Sequence, residues 1–487
     1  MGCGFCRNHR IETVKIVNAE SLNIDAGLFV VKNENCFHEE YKVGKVLGSG
    51  AFGEVRRAIH RESGEVRAVK IFRKDLAKNE ASQRKLREEI DILRSLDHPN
   101  IIRVYEYFED SKKFYIVMEQ CSGGELFEEI IKRQSFDESN AATILQQLFS
   151  TLAYLHSRNI IHRDIKPENI LLEESHDIMN IKLIDFGTAV RLKNSTVIHG
   201  AIGTAYYIAP EVLSGTYNSK CDMWSCGVLI YILLAGHPPF DGQNDEEILS
   251  KVKKSNYNFK HKAWNSVTPE AKDMISSLLA PSSTRLTAHQ ALSHPWIQKY
   301  SQKQEIAKCF LDLAVSNLQN FHKGSKLRDA VNTFIVSQCV SIADTKELRK
   351  VFKAMDKNGD GKLSKEELFE YFSINMGREQ AEGEVKRIMA EVDGDNSGFV
   401  DYTEFIKATF DYRKMANIQF LKRAFDLFDT NGRGTISAMS LKKILAGGNV
   451  CEDSIWSEII TNVDLNGDGE IDFSEFEKII LKKYNEI

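Results

Sequence analysis

Apolar positions along the chain change their rhythm three times. In the first part, short apolar runs bounded by polar residues, "NIIH" at 159–162, "NILL" at 169–172 and "IKLI" at 181–184, read as buried strands. Between and after them lie helical patterns. Leu86, Ile90 and Leu93 mark a helix whose apolar face also carries Glu89. A carboxylate there is costly unless paired, and Lys70, at the end of the strand-like "AVK", is the expected partner. The longest apolar run, "GVLIYILLAG" at 227–236, is far short of the roughly 20 residues of a membrane span, so it predicts a core helix. Further on, Ile306, Phe310, Ala314 and Leu318 recur at helical spacing, followed by the basic Lys323, Lys326 and Arg328. After that, helical spacing such as Leu348, Val351, Phe352 and Met355 alternates with polar, glycine-bearing loops.

Composition narrows the class. A length of 487 residues predicts two to four domains, with ordinary apolar and charged fractions. Net charge is −5, yet from Asp344 onward 21 Lys/Arg face 28 Asp/Glu, so the acidity lies in the tail half. No basic tract points to nucleic acid. Nine cysteines without framework spacing read as reduced thiols of a cytosolic protein.

The tail loops begin at Asp356, Asp393, Asp429 and Asp464, a repeat close to 36 residues. In "DKNGDGKLSKEE", Asp356, Asn358, Asp360 and Glu367 occupy positions one, three, five and twelve, with the Lys362 carbonyl at seven. "DGDNSGFVDYTE" places Asp393, Asp395, Ser397, Phe399 and Glu404 likewise, and "DLNGDGEIDFSE" places Asp464, Asn466, Asp468, Glu470 and Glu475. Calcium takes six to eight oxygens; the glycine at position six makes the turn and the twelfth-position Glu adds two oxygens. Helix, loop and helix thus predict EF-hands with three calcium sites. The third loop, "DTNGRGTISAMS", has Arg433 at position five and Ser440 at twelve, and is expected to be empty. Its Ile436 matches Leu363, Val400 and Ile471 at position eight, which suits a short strand contact between paired loops.

Upstream, "GSGAFGEV" at 48–55 supplies Gly48, Gly50, Gly53 and Val55. Alone it could open a dinucleotide fold. "AVK", "HRDIKPEN" at 162–169, "DFG" at 185–187 and "APE" at 209–211 follow in the order of protein-kinase signatures. From Tyr41 to about Ile297 the chain resembles a eukaryotic protein kinase. The resemblance implies a bilobal α+β fold with ATP as co-substrate. It makes Asp164 the residue that orients the acceptor hydroxyl and Lys166 a contact to the transferred phosphate. Lys70, held by Glu89, contacts the inner phosphates, and Asn169 and Asp185 hold Mg2+. Leu47, Gly48, Gly50, Gly53, Val55, Ala68, Met118 (the gatekeeper), Glu119, Cys121 and Glu125 complete the expected ATP site. Lys166 and Thr204 favour Ser/Thr over Tyr as acceptor. Glu125 and Glu168 are also candidates to attract a basic substrate residue, and Arg285 is expected to pair with Glu211. Ser195 and Thr196 are candidate phosphosites, although an activation loop ordered without phosphate is the preferred reading.

Kinase, amphipathic junction and four EF-hand loops in one chain resemble the calcium-dependent protein kinases of plants and protists. That resemblance implies an N-terminal extension over 1–40, a kinase domain over 41–297, an autoinhibitory junction over 298–343 and an all-α, calmodulin-like domain over 344–487. It further implies that the junction obstructs the kinase at low calcium and that calcium binding relieves it in cis. A different class, a lipid-anchored calcium sensor or buffer with a scaffolding kinase domain, is the alternative. "MGCGFC" makes Gly2 a candidate for myristate and Cys3 and Cys6 for palmitate. The expectation is a monomer acting on protein substrates, cytoplasmic and attached to the cytosolic face of a membrane through its N-terminal lipid.

Overall fold

The computed structural model describes residues 24–481 except 51–52, 76–79, 176, 193–197, 200–203, 303–304, 323, 412–417 and 446–452. Gly2, Cys3, Cys6, Ser195 and Thr196 therefore lie outside the described residues.

A twisted six-stranded sheet forms the first layer: β1 (Val31–Lys32), β2 (Tyr41–Gly50), β3 (Gly53–His60), β4 (Val66–Arg73), β5 (Val104–Glu109) and β6 (Lys113–Met118). Their order is β1-β5-β6-β4-β3-β2, antiparallel except for the parallel β1–β5 edge. Helix α1 (Glu80–Arg94) belongs to this lobe, and α2 (Leu126–Arg133) follows the sheet. The second lobe is helical. Its central α3 (Glu138–Ser157) is capped by Asp137, whose carboxylate accepts the Asn140 N–H, and nearly all of its residues from Ala141 to Leu155 are buried. The apolar run at 227–236 falls within α4 (Lys220–Ala235), a core helix as its pattern predicts, ended by Gly236 at φ 75°. Among the described residues no helix is long and apolar enough to cross a membrane.

The rest is helical: α5 (Lys308–Gln319), α6 (Lys326–Phe334), then α7 (Ile342–Met355), α8 (Lys365–Met376), α9 (Arg378–Val392), α10 (Tyr402–Thr409), α11 (Ile418–Phe428), α12 (Ala438–Leu445), α13 (Asp453–Thr461) and α14 (Phe473–Leu481). The apolar eighth positions pair the loops as their spacing suggests, Leu363 opposite Val400 and Ile436 opposite Ile471. Both amphipathic junction helices sink into this domain. Ala314, Leu318, Leu327, Ala330 and Val331 are fully buried in the core that the EF-hands share. A π-helical turn, Ile335–Cys339, ends α6 and presents the carbonyls of Val336 and Gln338 to Arg103, just before β5, and to Arg67 of β4.

The two halves are joined by polar contacts. Arg349 of α7 makes a two-pronged pair with Glu173 at 2.8 and 2.7 Å, both side chains only 4% exposed. Asp97, just after α1, accepts the Thr403 N–H and hydroxyl at 2.7 and 2.9 Å, and Arg158 reaches Asp401 at 3.0 Å.

Candidate active site and calcium loops

Residues paired across a ladder share a face of the sheet. Val55 lies opposite Lys70 and Ala68 opposite Met118, so the expected nucleotide-facing residues of β3, β4 and β6 line up on one side. Gly48 pairs with Val55 and Gly50 with Gly53, which closes the glycine-rich hairpin above them. Gly53 has no room for a side chain, because a Cβ there would lie 1.8 Å from the Ile71 carbonyl oxygen.

Lys70 Nζ sits 2.8 Å from Glu89 Oε1 and 2.9 Å from Asp185 Oδ1. Burial opposes charge on Lys70, but the two carboxylates outweigh it and hold the ammonium above its usual range. Burial likewise works against the Asp185 charge, and Lys70 overrides it, keeping that carboxyl below its usual range. The paired Glu89 that the helical pattern demands is therefore present, 5% exposed and satisfied.

Asp164 is fixed by three donors: Asn169 Nδ2 at 3.0 Å, Lys166 Nζ at 2.8 Å and the Thr204 hydroxyl at 3.0 Å. Lys166 also reaches Thr204 Oγ1 at 3.1 Å. Behind this loop, fully buried Asp222 accepts the N–H groups of His162 and Arg163 and the His156 ring. Arg163 and Asp185 adopt φ of 70° and 60°. Such left-handed non-glycine backbone costs on the order of 1–3 kcal/mol and persists where the surroundings dictate it. Asp222 was not anticipated from sequence: it lies 58 residues beyond Asp164, in a helix whose pattern reads only as core. Arg163 hydrogen-bonds the Thr188 carbonyl and the Tyr217 hydroxyl, so neutral acceptors hold it.

The gatekeeper Met118 is buried, and Glu119 turns its carboxylate inward to the Arg103 N–H and Lys182, both at 2.8 Å. The Glu119 N–H donates to the Arg103 carbonyl at 2.9 Å, which leaves its own carbonyl to face a nucleotide. Glu125 immediately precedes α2, and its pKa is raised by burial and then by Glu128 and Glu168. Among the described residues, the buried Glu168 Oε2 atom meets no hydrogen-bond partner. Arg285 does pair with Glu211, through both of its terminal nitrogens.

The four tail loops, numbered in chain order, differ in how their donors are held. In loop 1, Asp356 accepts the N–H groups of Asp360 and Gly361, and Glu367 accepts those of Asn358 and Ser364. In loop 2, oxygens of Asp393, Asp395 and Glu404 all lie within 4.8 Å of one another. Loop 4 repeats the pattern with Asp464 and Glu475. Burial pushes the Glu404 carboxyl up to about 8, and burial with Asp360 raises Asp356 well above its usual range. A bound cation relieves that crowding in loops 1 and 2. In loop 4 backbone N–H groups, that of Gly469 first, hold Asp464 below its usual carboxylate range, and its fit to calcium rests on the same oxygen donors at positions one, three, five and twelve. Loop 3 does not fit. Asp429 still accepts the Arg433 and Gly434 N–H groups, but the buried Ser440 hydroxyl is bound by Thr430 and Ser437 at 3.2 and 3.1 Å. Hydroxyl contacts close this loop where the others converge carboxylates.

This architecture is that of a protein kinase with paired EF-hands. A protein kinase domain model matches residues 41–297, and an EF-hand domain pair model matches 345–410 and 418–481. Calcium-dependent protein kinase 4 of Plasmodium berghei (strain Anka) is 40% identical over 473 residues, covering 94% of this chain and 89% of that protein. Its Plasmodium falciparum counterpart gives the same figures, and calcium-dependent protein kinase 3 of P. berghei is 41% identical over 446 residues, 90% and 79% of the two chains. The chain belongs to the calcium-dependent protein kinases. It is a serine/threonine protein kinase with ATP as co-substrate, Mg2+ as cofactor and calcium as its EF-hand ligand.

Proposed function

We propose that calcium capture by loops 1, 2 and 4 switches phosphoryl transfer in cis, the junction being the element that blocks the kinase at low calcium. The observation that carries this reading is the fate of the junction. With Leu318, Leu327 and Val331 fully buried among the EF-hands, α5 and α6 are sequestered from the cleft where Lys70, Asp164 and Asp185 are assembled. The complete catalytic set argues against a sensor that uses the kinase domain only as scaffold.

In the transfer step, Lys70 neutralises the inner phosphates while Glu89 fixes its position, and glycine-loop amides approach the phosphates from above. Asp164 orients the acceptor hydroxyl and takes its proton; Lys166 and Thr204 hold that carboxylate in place. Asn169 and Asp185 would hold magnesium, which supplies charge neutralisation on the phosphates. Glu125, Glu128 and Glu168 form an acidic patch that suits a basic residue in the protein substrate. Moving a conformational equilibrium from 1:99 to 99:1 takes about 5.5 kcal/mol of differential binding, so two loops with about 100-fold preference each suffice. The lost third site is tolerable. The protein acts as a cytoplasmic monomer held at a membrane by myristate on Gly2 and palmitate on Cys3 or Cys6. One acyl chain alone gives marginal binding, near 10⁴ M⁻¹.

A kinase assay on purified protein in calcium and in chelator tests the switch, and equal rates would end it. Mass spectrometry of the native N-terminus tests the acylation, and light scattering in solution tests the monomer.

A further inference from the structure

The third EF-hand has lost its metal donors yet keeps both helices, and α11 and α12 flank a segment outside the calcium domain. Residues 24–32 run along the seam between the two halves of the molecule. Asp25 accepts the Leu28 N–H at 3.2 Å and caps a single 3-10 turn, Ala26–Phe29. Phe29, 2% exposed, places its ring edge-on to Phe334 of the junction at 5.6 Å and to Phe428 of α11 at 6.3 Å. Ile24 belongs to the same core. One residue after Phe29, Val30 is in the kinase core, and Val31–Lys32 enters the sheet as β1 against β5. Between these anchors, Gly27 lies so close to α1 that a Cβ would stand 2.2 Å from the Arg94 carbonyl oxygen. Arg94 is the last residue of α1, the helix that carries Glu89. Arg423 of α11 adds a second link, reaching Glu65 in the β3–β4 connection at 3.4 Å.

A sensor hand changes its interhelical angle when it loads calcium and repacks its apolar residues. Phe428 directly precedes loop 3, so a loading hand would disturb its contact with Phe29. A loop closed by the Ser440, Ser437 and Thr430 hydroxyls has no such transition. We propose that the third EF-hand, which loads no calcium of its own, is a clasp whose partner is the chain's own segment Ile24–Val30. In this arrangement Phe29 and Gly27 are positioning residues that tie the seat of the calcium domain to the end of α1, and through it to the Glu89–Lys70 pair. The inference rests on the kinase reading for its consequence, but not for its primary measurement.

The test uses the full chain and the variants Phe29→Ala, Phe29→Leu and Gly27→Ala, in saturating calcium. Hydrogen exchange of residues 80–94 reads α1, exchange of 138–157 reads global stability, and ATP kinetics read the active site. Phe29→Ala is expected to speed exchange in 80–94 by about fivefold or more while 138–157 stays unchanged. It should also lower kcat by about fivefold, because Lys70 is less often held in place. Phe29→Leu, which keeps the site filled, should recover most of both effects, and Gly27→Ala should act like Phe29→Ala without removing a core ring. Unchanged exchange in 80–94, or acceleration shared equally by 138–157, overturns the clasp. If wild-type rates prove equal with and without calcium, the switch proposal falls, and the exchange comparison still decides the clasp.

Discussion

At the scale of single residues, function hangs on a few charges kept together against the cost of burial. Lys70 is shared by Glu89 and Asp185 at 2.8 and 2.9 Å, so Glu89→Gln should leave ATP binding measurable while lowering kcat about 10- to 100-fold. Steady-state kinetics with variable ATP decide this; a full-rate variant would mean that the ion pair does not position Lys70. The residues of this site were readable from sequence because they sit at fixed short spacings around one chemistry: 164, 166 and 169 in one loop, 185 in the next. Arg349 was not readable, since its partner Glu173 is 176 positions away and both look like ordinary surface charges on paper. Removing one member of a buried pair costs about 3–5 kcal/mol. Arg349→Met should therefore loosen the calcium domain from the kinase, seen as faster exchange across 342–355.

At the scale of elements, the same contrast recurs. Helix–loop–helix periodicity and loop chemistry predicted the EF-hands, and position-eight pairing followed. Strand β1 escaped notice because two residues carry no periodicity, and it exists only through its pairing with β5. Loop 3 offers a direct experiment. Arg433→Asp together with Ser440→Glu restores oxygen donors at positions five and twelve, and calorimetry is expected to count four calcium ions in this variant and three in the native chain. A native count of four would contradict the donor argument. The seat of α7 on the kinase should also respond to pH. Burial, then Arg349, lowers the Lys353 ammonium to about 7, with Lys182 adding to the effect and Glu173 and Asp177 opposing it. Burial, with Lys353 and Lys182, also pushes His98 down. A group whose docked pKa is depressed favours docking in its neutral form, so docking strengthens as pH rises through 7 towards 10.5 and is weakest below 7. Exchange protection of 342–355 should increase from pH 6.5 to 8, less steeply in Lys353→Met; a flat wild-type profile contradicts it.

At the scale of the molecule, the kinase active site is assembled while the junction is enclosed by the EF-hands, and buried polar pairs bridge the halves. Under the proposed switch, calcium and nucleotide select the same arrangement, and linkage then makes the influence of each on the other's binding reciprocal. Titrating peptide phosphorylation with calcium on the native chain and on Glu367→Gln, Glu404→Gln and Glu475→Gln, with calcium binding measured on the same samples, is the most direct trial. The account predicts that chelator abolishes most of the rate and that each substitution moves the activation midpoint to higher calcium together with the loss of one binding site. Binding sites lost with no movement of the rate curve would contradict it.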